Sequence, residues 1–169
     1  MMNQKVVEAL TAQVNKEFYS AYLYLAMNQH FEGEGMPGMA NWMYQQFQEE
    51  QFHAKKMLKY LNSRGQKVIL EAIEKPLIEW PSTMAVFENV LEHEESITAS
   101  INAIQGIAVD EKDFATMNFL QWFIDEQIEE EENASNLIKQ LELIGDNGYG
   151  LLMLDKELAQ RTFAEPAAE

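Results

Sequence analysis

Hydrophobic positions recur in steps of three and four through most of the chain, the spacing of an amphipathic helix. One run is Leu10, Val14, Glu17, Ala21, Tyr24, Asn28 and Phe31. A second is Met39, Met43, Gln46, Glu50, His53, Met57 and Tyr60. A third is Phe87, Leu91, Glu94, Thr98 and Ile101, and a fourth is Thr116, Leu120, Phe123, Gln127, Glu130, Ala134, Leu137 and Leu141. Gly- and Pro-containing breaks separate them: "GEGMPGM" at 33–39, Gly65, Pro76 to Pro81, "VDEKD" at 109–113 and "GDNGYG" at 145–150. Ser82 or Thr83 is expected to cap the third helix and Asp110 the fourth. The spacing predicts helices over about 3–32, 37–64, 82–109 and 112–144, with a short leucine-rich fifth over 150–161. No strand pattern is present.

Short connections make antiparallel hairpins of helices one and two and of helices three and four. The connection from Gly65 to Pro81 is about seventeen residues, long enough when extended to run the length of a 28-residue helix, ~42 Å. The expected architecture is all-α: a four-helix bundle with one long crossover, a single domain over residues 1–169. In that bundle the helix midpoints share one height. Each inward stripe is interrupted there by a carboxylate, so Glu17, Glu50, His53, Glu94, Gln127 and Glu130 converge. An offset of 77 residues carries Glu17 onto Glu94, Glu49 onto Glu126, Glu50 onto Gln127 and His53 onto Glu130. The two hairpins thus share a polar pattern at the site and no wider repeat.

Four inward carboxylates need neutralising, because an unpaired buried charge costs several kcal/mol. They must take up protons or bind cations, and the stripes supply no inward Lys or Arg at that height. Two divalent ions would balance them. An oxygen-rich set with one imidazole favours iron or manganese over copper. Glu50 and His53, three residues apart, share a helix face and can grip one ion together.

Composition narrows the classes. The chain has 169 residues, no cysteine and a formal net charge of −16. Disulfides and thiol chemistry are excluded. The charge argues against nucleic acid and anionic membranes and favours a cation-attracting field. No secretory or membrane-spanning segment is apparent, which points to the cytoplasm. The run "IDEQIEEEEN" at 124–133 holds six carboxylates. Of these, Glu131 and Glu132 are read as solvated. Glu126 and Glu129 lie on a face rotated about 100° from Gln127 and Glu130. With Glu49 they are candidates for an outer cation site. Tyr24 is a core residue with a possible redox role, Trp122 is read as packing, and His30 and His93 as surface or interface residues.

Glu17, "EEQFH" (49–53), Glu94 and "EQIEE" (126–130) resemble the ferroxidase centre of the bacterial non-haem ferritins, over nearly the whole chain. The resemblance implies one iron site at Glu17, Glu50 and His53 and another at Glu50, Glu94 and Glu130, with Gln127 beside them. It implies a third iron site at Glu49, Glu126, Glu129 and Glu130, with Tyr24 and Trp122 as the aromatic residues near the centre. The implied activity is oxidation of Fe²⁺ by O₂ or H₂O₂ and storage of ferric mineral in a homo-oligomeric shell of 24 subunits.

Non-storing di-iron oxidases of the rubrerythrin type are the alternative. They resemble Glu-x-x-His in both halves, whereas this chain has Gln127-x-x-Glu130 in the second. Gln51 stands where a haem-binding relative carries methionine, so haem is not expected, and no basic arm for DNA is present. "AYLYLAM" (21–27), apolar all round, and the fifth helix are expected to be buried against other subunits. Met117 and Leu120 are apolar where animal ferritin channels resemble acidic ones, which argues against an animal-type channel.

Overall fold

The structure is a computed structural model describing residues 2–165. Residue 1 and residues 166–169 of the expected 1–169 domain lie outside the described residues. Five helices follow one another: α1 (Gln4–Glu34), α2 (Pro37–Ser63), α3 (Thr83–Asp110), α4 (Phe114–Ile144) and α5 (Gly148–Leu158). No strand occurs among the described residues. α1 packs along α2 and α3 along α4; α1 also meets α3, and α5 folds back on α2 and touches α4.

The helix ends follow local chemistry. Asn3 and Ser82 cap α1 and α3 with side-chain oxygens that accept from Lys5 N and Ala85 N. The cap of α4 differs from expectation. Asp113 accepts from Thr116 N, while Asp110 ends α3. α3 simply continues to Asp110, and Lys112 takes the left-handed conformation, φ 55°, that reverses the chain. Gly65, φ 73°, closes α2 with its N–H on Asn62 O, beside Gln66 N on Leu61 O.

The buried faces match the expected stripes in α1, α2 and α4, apart from half-buried Tyr60, with Leu61 taking the seam. In α3 the seam is rotated. Val90 and Ile97 are buried, while Leu91 and Thr98 are half-buried at its edge. Adjacent apolar pairs left that choice open, and packing against α1 and α4 settles it.

The core divides into two apolar clusters. One contains Leu23 and Met27 of α1, Met39 and Met43 of α2, Phe87 and Val90 of α3, and Ala134 and Leu137 of α4. The other contains Leu10 and Val14 of α1, Met57 and Leu61 of α2, Ile97 and Ile101 of α3, and Leu120 and Phe123 of α4. On every helix the polar interruption falls between the two clusters. The bundle therefore has a polar waist between two dry ends. Leu120 is fully buried in the second cluster, as its place in the inward stripe of the fourth helix predicts.

The crossover from Arg64 to Ser82 lies over the outside of the bundle. Asn15 Nδ2 donates to Ala72 O at 3.3 Å, and Trp80 is buried with its indole N–H on Asn89 Oδ1. At the far end, Met39 N donates to Asp155 Oδ1 at 2.9 Å, tying α5 to the start of α2. Gly38 makes that approach possible: a Cβ there would stand 1.6 Å from Asp155 O. Tyr22, in the apolar turn of α1, is 48% exposed, as are faces of α5 at Leu152 and Met153 (49% and 45%).

Candidate metal centre

Glu17 of α1, Glu50 and His53 of α2, Glu94 of α3 and Gln127 and Glu130 of α4 are all buried at the waist. Helical spacing explains the pairings: residues three apart stand one above the other on a single face. Glu17, Glu50 and His53 present ligand atoms all within 4.8 Å of one another. His53 Nδ1 lies 3.5 Å from Glu50 Oε2 and 4.0 Å from Glu17 Oε2. A second group, Glu49, His53, Glu126 and Glu130, meets the same 4.8 Å limit. His53 belongs to both. Glu129 is exposed and stands outside that group, lining the cleft beside it, unlike its place in the expected outer site. Glu94 joins neither group. Its carboxylate accepts from the Tyr24 hydroxyl and from Gln127 Nε2 at 3.1 Å.

Burial and the mutual repulsion of the carboxylates dominate the electrostatics of the waist. Burial, then the charges of Glu94, Glu17 and Glu130, push Glu50 well above the usual carboxylate range. Burial and then Glu94 do the same to Glu130. Glu94 is pushed up to about 7, chiefly by burial, and the hydrogen bonds from Tyr24 and Gln127 oppose the rise. Burial also raises Glu17. His53 is driven down to about 3 by burial and by the Lys56 charge, so its imidazole is neutral and its lone pair free for a metal. Glu50 Oε2 and His53 Nε2 are buried without a hydrogen-bond partner. Unpartnered polar atoms in a packed interior are rare, and with Gln46 Oε1 three of them meet at this waist.

Residues outside the expected set hold these groups in place. Gln13 Nε2 donates to Glu17 Oε1 at 2.8 Å, and Gln46 Nε2 to Glu130 Oε2 at 2.8 Å. Each glutamine sits on the inward face one turn before a waist carboxylate, a spacing visible in the sequence. Gln127 also reaches Thr98 Oγ1 at 3.3 Å, and Thr98 donates to Glu131 Oε1 at 2.5 Å. Glu131 is therefore half-buried and bonded, not a solvated member of the acidic run. Glu132 is exposed, as expected.

The aromatic residues form the walls. Tyr24 packs edge-on to Trp42, centroids 6.4 Å apart. Trp122 packs edge-on to His53 at 5.4 Å, with Lys56 Nζ 4.2 Å over its ring. His93 is no surface residue. It is half-buried, with Nε2 2.7 Å from Ser20 Oγ and its ring near Tyr19 and Tyr24. His30 is likewise half-buried, against Trp80 and Phe31.

One cation does approach the acids. Arg161, beyond α5, donates from Nη2 to Glu49 Oε2 at 2.8 Å. It follows the stripes by a whole helix, so periodicity gave no sign of it. A cleft of about 300 Å³ opens here, lined among others by Glu49, His53, Trp122, Glu126, Arg161 and Phe163. No helix among the described residues is long and apolar enough to cross a membrane.

Known proteins share this fold. Residues 7–144 match the family described as a ferritin-like domain. A bacterial non-heme ferritin of Staphylococcus saprophyticus is 40% identical over 165 residues, covering 98% of this chain and 99% of that protein. A probable bacterial non-heme ferritin-like protein of Haemophilus influenzae is 40% identical over 158 residues, covering 94% and 96% of the two chains. Among solved structures, an open pore ferritin of the hyperthermophilic archaeon Archaeoglobus fulgidus superposes with a TM-score of 0.95 at 49% identity, covering 96% of this chain and all of that one. The four-helix bundle and its short fifth helix agree with these relatives, and the chain belongs to the ferritin family, in the company of the non-haem ferritins.

Proposed function

We propose that this chain is the subunit of an iron-storing shell of 24 copies, in the cytoplasm, and that its waist is a ferroxidase centre. Fe²⁺ is the substrate. Glu17, Glu50 and His53 receive one ion, and Glu50, Glu94 and Glu130 a second, with Gln127 at its side. Each pair of ions gives up two electrons. O₂ takes them with two protons to become H₂O₂, or H₂O₂ takes them with two protons to become two waters. The carboxylates release protons as the ions bind, and the dry ends of the bundle keep bulk water from the site. Tyr24 and Gln127 orient Glu94 and favour its ionised form against the effect of burial.

The observation that carries this reading is the buried convergence of Glu17, Glu50 and neutral His53, with Glu50 Oε2 and His53 Nε2 left unpartnered. Oxygen-rich ligation with a single imidazole accepts iron in both oxidation states, and hydrolysis of Fe³⁺ to oxyhydroxide draws the product off the site to mineralise. The donor set fits iron as cargo and leaves no haem-ligating methionine beside Glu50, where Gln51 stands.

The test is to add ferrous iron in increments under air while following oxidation and O₂ uptake, and then to size the product. A shell that takes up hundreds of iron atoms supports the proposal. A dimer that stops at two or three per chain supports the non-storing oxidase.

A further inference from the structure

Arg161 stands where a cation is wanted. The group of Glu49, His53, Glu126 and Glu130 holds three carboxylates and an imidazole, and His53 Nε2 is buried with no partner. The guanidinium touches one member of that group, through Nη2 to Glu49 Oε2 at 2.8 Å. It does not make the two-pronged contact that an arginine–carboxylate pair makes when the pair is built for strength. Its other amino group, Nη1, is buried without a partner. The flat face of the guanidinium lies 4.6 Å from the Trp42 ring centroid. This is a charge parked beside the site on one hydrogen bond and a stacking contact.

The segment carrying it is secured by other means. Asn41 Nδ2 donates to the main-chain oxygens of Leu158 and Arg161 at 3.1 and 3.0 Å. Phe163 N donates to Gln45 Oε1 at 2.8 Å, and the Phe163 ring packs on Phe52 at 6.1 Å. None of these contacts uses the Arg161 side chain, so the guanidinium is free to leave while the backbone stays. The cleft of about 300 Å³ between the two gives it room.

We propose that Arg161 is a built-in counter-cation of the outer site: it neutralises Glu49 while no metal is there and must swing away before a metal ion can use Glu49 as a ligand. The inference rests on the metal-centre reading above and adds a control to it. A metal entering this site breaks the arginine–carboxylate bond and meets the repulsion of a nearby positive charge, so Arg161 keeps the outer site weaker than the central pair. The outer site then fills last and empties first. Its cation is a transient, as suits a position between the centre and the cleft.

The test uses redox-inert Zn²⁺ and the assembled, metal-free protein, followed by isothermal titration calorimetry. Arg161→Gln removes the charge and leaves every main-chain contact of the tail. The expected result is a third binding event roughly tenfold tighter than in the parent, with the two central events unchanged. In the Glu49→Gln background the third event disappears, and Arg161→Gln then has no effect. A third event that is absent in both proteins, unchanged or weakened by Arg161→Gln overturns the proposal. Loss of the central events in the parent would instead sink the metal-centre reading, and the two failures are read separately. A zinc-soaked crystal gives a second measurement. Zinc on Glu49 with the guanidinium displaced supports the proposal, and zinc on Glu49 with the 2.8 Å pair still closed refutes it.

Discussion

The Tyr24 hydroxyl donates a hydrogen bond to Glu94, across the interface of α1 and α3, at the one waist carboxylate that neither compact metal-sized group includes. That bond holds down the affinity of Glu94 for a proton, which burial otherwise raises to about 7. Tyr24→Phe should therefore keep the fold and push Glu94 higher. Iron oxidation at pH 6.5 is expected to slow ~3–10-fold and to recover towards pH 8, where Glu94 ionises regardless. Stopped-flow traces across that range decide it. A loss of equal size at every pH would mean that Tyr24 acts by some route other than this proton.

Glu50 and Glu130 carry the most strongly raised carboxyl groups of the waist. Replacing either by Ala should lower the fast oxidation rate at least ~100-fold while the shell still elutes at full size. At pH 8 the isosteric change Glu50→Gln should also raise the thermal midpoint of the metal-free protein by about 2–5 °C, because it removes the cost of keeping a buried carboxyl either protonated or charged. Oxidation at the parental rate in Glu50→Ala would refute the site assignment.

The same shifts set a pH dependence of stability. Glu94 moves from 4.5 to about 7 on folding, and Glu50 and Glu130 move further in the same direction. Groups raised on folding hold extra protons in the native state. Their contribution is complete below the unfolded value and is lost as pH climbs through the folded one. Calorimetric melting of the metal-free protein should fall between pH 5 and pH 8. The gain in midpoint on adding Mn²⁺ should grow over the same interval, since metal replaces those protons. A gain that shrinks with rising pH would contradict this.

Gly38→Ala tests how α5 is seated. Its Cβ would fall 1.6 Å from Asp155 O, a backbone atom, so α5 must shift or detach. The expected cost is about 1–3 kcal/mol, read by thermal melting, together with impaired assembly on gel filtration. Far-ultraviolet circular dichroism should show the four long helices retained. Normal melting and assembly would mean that α5 is more compliant than its contacts imply.

Much of this molecule could be read from the spacing of residues alone. The inward faces of α1 and α4, and all six waist residues, follow from steps of three and four plus the level set by antiparallel packing. Three features resisted. In α3, Val90–Leu91 and Ile97–Thr98 each offer a plausible inward residue, and periodicity cannot rank neighbours that both tolerate burial. Glu131 belongs to a run that looks solvated, and only the position of Thr98 on the facing helix shows it bonded. Arg161 meets Glu49 across 112 residues of chain, and no local pattern encodes so distant a contact. Gln13 was legible in hindsight, one turn from the Glu17 it holds, whereas Gln46 sits one turn from Glu50 but holds Glu130 across the bundle.

The division of the core into two apolar clusters carries a mechanical consequence. Apolar cohesion is concentrated at the extremities of the bundle, and at the level where cargo is handled the helices are joined by polar contacts instead. Ions spanning α1 to α4 there would act as a cross-brace. Rigidity would then follow loading, with the middle of the subunit stiffest when ions bridge its helices.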